Sequence, residues 1–238
     1  MRASSFLRRA RATTDRPMTS SSHVLAARRH WVFDLDGTLT VAAHDFAAIR
    51  RALAIRDDED ILAHIAALPR HEADAKRAWL HGHERELALA SRPAIGAVAL
   101  VRSLAARGCR LGILTRNLRE LALLSLQAIG LADCFDPAHV LGREDAPPKP
   151  DPAGLHRLAE RWAVEPARLA MVGDYAYDLA CARAAGAQAV LVNLPDNRWP
   201  ELADWHFADC AGLAAALGTS AQVADAGPFN STVLPCGS

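Results

Sequence analysis

Between residues 93 and 193, short apolar runs alternate with helical stretches, and three of those stretches stop at a glycine. Helices are expected over Ala94–Arg107 before Gly108, Leu118–Ile129 before Gly130, Pro152–Trp162, and Asp178–Ala185 before Gly186. The runs between them, CRLGILT, a short segment around His139–Leu141, LAMVGD and AQAVLVN, read as strands, and WVFDLDGT upstream reads as the first of the set. Strands and helices in alternation imply a parallel sheet covered by helices on both faces. The predicted fold class is α/β, a doubly wound, Rossmann-like parallel sheet. Ligands of such sheets sit beyond the carboxyl ends of the strands.

Residues 42–92 break the rhythm. They contain no strand-like run and read as two or three helices, with breaks near Arg56–Asp58 and at Pro69. Because this stretch leaves and re-enters the sheet at the ligand-binding edge, it is expected to form a small α-helical cap over that edge. The core is then residues 30–41 and 93–217. It is flanked by an extension, 1–29, that is disordered or results from a start assigned at Met1 rather than Met18, and by a disordered tail, 218–238. Neither end is expected to carry chemistry.

Charge supports this division. The 27 Lys and Arg balance 27 Asp and Glu, which argues against a nucleic-acid or polyanion binder. Residues 1–30 nevertheless hold seven Arg and one acid, so the remainder is mildly acidic. No apolar run approaches the roughly 20 residues that span a bilayer, so no membrane partner is expected. Five widely spaced cysteines without a Cys-x-x-Cys pair indicate neither a disulfide framework nor a zinc knuckle, and fit a reducing, cytoplasmic setting. Organellar targeting by residues 1–30 is the lesser alternative.

Read in order, the strand ends present Asp34 and Asp36, then Thr115, then Lys149 in the loop before a helix, then Asp174 and Asp178. Each has an ordinary explanation alone: an acidic turn, a helix N-cap, a solvated loop lysine. Together, at one edge of one sheet, they are hard to derive from turn chemistry. Several carboxylates brought together repel one another unless a cation offsets them, and oxygen donors favour Mg²⁺, which takes further oxygen from a phosphate. Lys149 is conspicuous because 25 of the 27 basic residues are Arg, the other lysine being Lys76.

These stations resemble those of the haloacid dehalogenase-like (HAD) hydrolase superfamily: DLDGT (Asp34–Thr38), ILT ending at Thr115, KP at Lys149, and GDYAYD (Gly173–Asp178). With a helical insertion between the first two motifs, the organisation is similar to that of the phosphoglycolate phosphatase branch. The resemblance implies a Mg²⁺-dependent phosphatase of a small phosphorylated metabolite, working as a monomer or homodimer. It implies Asp34 as nucleophile, Asp36 as general acid and base, and Thr115 and Lys149 at the transferring phosphoryl group. It further implies Asp34, Asp174 and the backbone carbonyl of Asp36 as metal ligands, with Asp178 orienting Lys149 or metal-bound water. Gly37, Thr38, Arg116 and Asn117 are the expected substrate contacts.

Asp36 favours phosphate chemistry, since a carbon-centred dehalogenase needs no acid there. A phosphomutase, a phospho-accepting module without turnover and a ligand sensor are the alternatives. A phosphonate-cleaving relative needs a Schiff-base lysine in the cap, and Lys76 lies in a charged AKR stretch where a lowered pKa is not expected. Zinc at His81 and His83 is not expected either, because residues two apart on a helix point to different sides. Arg70, His71, His81 and Arg85 are candidate cap contacts to an anionic substrate, against the plainer reading of solvated helix faces. The substrate itself, among phosphoglycolate, sugar phosphates and nucleotides, stays open.

Overall fold

A computed structural model describes residues 24–43 and 45–218. Six strands, β1 (His30–Phe33), β2 (Arg110–Leu114), β3 (Val140–Leu141), β4 (Leu169–Gly173), β5 (Gln188–Leu191) and β6 (Trp205–His206), form one sheet. Their order is β3-β2-β1-β4-β5-β6 and every pairing is parallel. The chain builds outward from β1 on one side through β2 and β3, then returns to place β4 on the other side. The switch point of the sheet therefore lies between β1 and β4.

Side chains alternate across the sheet, as the pleat requires. Trp31 and Phe33 enter one core with Ala170 and Val172, while Val32 enters a second with Leu169 and Met171. The first core is closed by α4 (Ala97–Ala106), α5 (Arg119–Ala128) and α8 (Cys210–Ala216), the second by α6 (Ala153–Arg161) and α7 (Ala176–Ala185). Burial on both faces accounts for strands with hardly a polar residue.

Residues 46–89 form three helices, α1 (Phe46–Ala52), α2 (Ile61–Ala67) and α3 (Arg70–Leu89). Asp45 and Asp60 cap the first two, each carboxylate accepting from a backbone N–H at 2.9 Å. Ile49, Leu53, Ile61, Ile65 and Leu80 make a separate small core for these helices. Lys76 holds it together from α3, donating to the carbonyl of Leu53 at 2.5 Å.

Several details differ from the sequence reading. Helix α7 begins at Ala176 rather than at Asp178, because Asp178 is its third residue and accepts from the Tyr175 N–H at 3.1 Å in a capping box. β6 and α8 escape prediction because two- and seven-residue elements carry too little periodicity. The packed unit also starts before His30. Leu25 is only 1% exposed in the first core, and Arg107 donates to the carbonyl of Ala26 at 2.7 Å, so residues 24–29 belong to the fold rather than to an extension. The expectations for the rest of the extension, including the choice between Met1 and Met18, and for the tail beyond Gly218 lie outside the described residues. Cys109, Cys134, Cys181 and Cys210 are free thiols. Among the described residues no helix is long and apolar enough to cross a membrane.

Candidate active site

The chain leaves β1 into a turn that puts Asp34 at the switch point. The Asp34 N–H donates to the carbonyl of Val172 at 2.9 Å, tying the strand end to β4. The Thr38, Leu39 and Thr40 N–H groups all converge on the Leu35 carbonyl, at 3.2, 2.9 and 3.0 Å. Gly37 sits at φ +92°, and a Cβ there would lie 2.5 Å from Asp174 Oδ2. Only glycine combines that backbone with that proximity. Asn193, just past β5, donates to the carbonyls of Gly37 and Thr38 at 2.7 and 2.8 Å and locks the turn from the far side.

Lys149, in the loop before α6, is buried and donates to Asp34 Oδ1 and, at 2.6 Å, to Asp178 Oδ1. Burial by itself would lower its pKa, but Asp178 and Asp34 outweigh that and hold it above the usual lysine value. Its charge is therefore fixed. Asp174 is pushed up to about 7, by burial first and then by the charges of Asp34 and Asp178, with the Thr38 hydroxyl working the other way. Asp178 is raised to about 6 by burial and by Asp34, against the pull of Lys149.

Oxygens of Asp34, Asp174 and Asp178 lie within 4.8 Å of one another. An all-oxygen donor set, in which burial and then the neighbouring carboxylates disfavour the charge on Asp174, fits a hard divalent cation. The carboxylate of Asp36 is outside this group. It faces Asn117, whose Nδ2 donates to Asp36 Oδ2 at 3.4 Å. Thr115 is 4% exposed and its hydroxyl accepts from the Asn117 N–H at 3.0 Å.

Asp34, Asp36, Thr115, Arg116, Asn117, Lys149, Asp174 and Asp178 thus line one cavity of about 560 Å³ between the sheet edge and the three inserted helices. Two expected substrate contacts do not line it. Thr38 is fully buried and donates inward to Asp174 Oδ1 at 2.9 Å, so it holds a carboxylate in place. Gly37 is buried behind Asp174, and its N–H is already bound to the Thr40 carbonyl at 3.0 Å. Nor do the four candidate cap contacts reach the cavity. Arg70, His71 and Arg85 face solvent and His81 pairs with Glu120 at 2.6 Å, because the buried stripe of α3 is Ala73, Leu80, Glu84 and Ala88.

The inserted helices instead present Phe46, Ile49, Arg50, Ile61, Leu62, Leu80 and Glu84. Glu84 binds Arg143, just past β3, through two hydrogen bonds of 2.9 and 3.0 Å. Neither Glu84 nor Arg143 nor Asn193 stands out in the sequence. The one available signal was the four-residue spacing of Leu80, Glu84 and Ala88, which puts an acid on the apolar face of α3.

Known proteins resemble this chain in sequence and in fold. A family model described as haloacid dehalogenase-like hydrolase matches residues 29–186. The chain is 32% identical over 182 residues to a haloacid dehalogenase-like hydrolase domain-containing protein of Arabidopsis thaliana, an alignment covering 71% of this chain and 73% of the relative. It is 35% identical over 184 residues to a phosphoglycolate phosphatase of Cereibacter sphaeroides, covering 67% of this chain and 83% of that one. A crystal structure from Haemophilus somnus, described as a predicted phosphoglycolate phosphatase, shares the fold with a TM-score of 0.64 at 22% identity, over 79% of this chain and 97% of that one.

Proposed function

The chain belongs to the haloacid dehalogenase-like hydrolases, and from that premise we propose a phosphatase that hydrolyses a small phosphomonoester through a phosphoaspartate on Asp34, with Mg²⁺ as cofactor. The observation that carries this reading is the setting of Asp34. Its carboxylate is held at the switch point by Lys149 and faces a cavity that also contains Asp36 and Thr115.

Asp34 attacks phosphorus and splits one difficult hydrolysis into two easier displacements. Lys149, kept cationic by Asp34 and Asp178, lowers the repulsion between the carboxylate and the incoming phosphate dianion. Asp36 is placed by Asn117, protonates the leaving alkoxide, and takes a proton from the water that attacks the phosphoaspartate. The Thr115 oxygen accepts from the backbone, which orients its own O–H toward an oxygen of the transferring group. Asp34 and Asp174 would hold Mg²⁺ together with the backbone carbonyl of Asp36, while Asp178 completes the acidic cluster and fixes Lys149. The ion, when bound, supplies charge neutralisation for the phosphate oxygens. The inserted helices act as the cap that shields the reaction from bulk water.

Relatives named phosphoglycolate phosphatase support phosphate-ester chemistry and put that compound among the candidate substrates. Phosphate release from a panel of phosphorylated metabolites with Mg²⁺, beside Asp34→Asn, tests the reading. Turnover in the parent and loss of at least about a thousandfold in the variant are expected. Equal activity in both would refute it.

A further inference from the structure

Beyond the phosphate site the cavity carries an apolar and aromatic stretch of wall among its charged side chains. The cap contributes Phe46, Ile49, Ile61, Leu62 and Leu80, and the segment after Asp174 contributes Tyr175, which caps α7, and Tyr177 in its first turn. The two tyrosine rings pack edge to face at 5.2 Å and remain 52% and 44% exposed beside the acidic cluster. Arg116 lies over Tyr177, 5.4 Å from the ring centre. Such surfaces are suited to stacking a flat ring.

The charges of the cavity point the same way. Arg143 is neutralised by Glu84, and Arg116 lies 3.9 Å from Asp60. Lys149 is held by Asp34 and Asp178. Arg50 is the one cation lining the cavity with no acidic partner among the described residues, and its Nε is occupied by the Glu59 carbonyl at 3.1 Å. A second anionic group on the substrate therefore meets cations that are mostly paired. A two-carbon ester would also leave most of the 560 Å³ to water, whereas this volume falls within the roughly 300–1,000 Å³ of sites for larger ligands.

We infer that the substrate is a phosphomonoester whose neutral alcohol part ends in a planar ring of nucleobase size, stacked at Tyr177 and Tyr175 and covered by the apolar wall of the cap. This rests on the phosphatase reading above and narrows its substrate class.

The test uses the full chain with Mg²⁺ and three esters. Adenosine monophosphate and ribose 5-phosphate share the reacting carbon and oxygen and differ in the base, while phosphoglycolate carries a carboxylate. The adenosine ester should exceed ribose 5-phosphate in kcat/KM by about tenfold or more. Tyr177→Ala should bring that ratio down toward unity, and Tyr177→Phe, which keeps the ring, should preserve it. Glu84→Gln releases Arg143 and should raise phosphoglycolate severalfold relative to ribose 5-phosphate. A ratio near one in the parent, a ratio indifferent to Tyr177→Ala, or a parent preference for phosphoglycolate that Arg50→Ala removes would overturn the inference and leave the phosphatase reading standing. If none of the esters is hydrolysed, and the wider metabolite panel releases no phosphate either, the phosphatase reading fails with it.

Discussion

At the scale of single residues, Asp174 concentrates the electrostatic conflict of the site. Burial and the charges of Asp34 and Asp178 push it up to about 7, so the metal-free folded chain holds a proton that the unfolded chain sheds near pH 3.8. This group costs nothing in acid, and its penalty grows as pH rises from the unfolded value through about 7. A bound cation removes the penalty. Mg²⁺ should therefore raise the melting temperature clearly at about pH 8 and much less at about pH 5. Asp174→Asn should stabilise the metal-free chain at the higher pH and abolish the Mg²⁺ response, which melts with and without chelator would record. Thr38 makes the same point by hydrogen bonding. Losing the hydroxyl in Thr38→Val should weaken Mg²⁺ binding by about tenfold, measured by titration calorimetry.

Secondary-structure elements bring together what the sequence keeps apart. The proposed catalytic stations were legible because they lie at or just past three strand ends or, for Lys149, in a connecting loop, where a local motif carries both the turn and the polar group. Glu84, Arg143 and Asn193 were not, since their meaning lies in pairings across 59 residues for the first two and about 155 between Asn193 and the turn after β1. The inward orientation of Thr38 was not legible for a related reason. Its position in the motif is local, but the partner that turns it inward, Asp174, is 136 residues away. The strands and most helices were visible from their apolar runs and glycine stops, whereas β6 and α8 were too short to show a period. The Glu84–Arg143 pair fastens α3 to the core, and both side chains are largely buried. Glu84→Ala leaves the guanidinium without its partner and should destabilise the protein by about 3 kcal/mol in denaturant unfolding. At the other end of the fold, Leu25→Ala should cost about 2–4 kcal/mol by opening a cavity under residues 24–29, and a chain beginning at His30 should unfold more readily than one beginning at Met18.

Taken as a whole, the molecule separates scaffold from selectivity. The parallel sheet gathers Asp34, Asp36, Thr115, Asp174 and Asp178 from three strand ends, with Lys149 supplied by a connecting loop. The inserted helices add an apolar wall that no family motif describes. The balanced net charge of the chain conceals this arrangement: acids converge on the sheet edge, while the Arg surplus lies within residues 1–30. Everything proposed for the reaction depends on a phosphoryl group passing through Asp34. Quenching the Mg²⁺-loaded enzyme in acid during turnover of a phosphomonoester, then locating the modified peptide by mass spectrometry, tests that claim most directly. A phosphoryl group on Asp34, absent from Asp34→Asn, is the predicted result. An enzyme that turns over with the phosphoryl group on another residue, or an Asp34→Asn variant that keeps full activity, would contradict it.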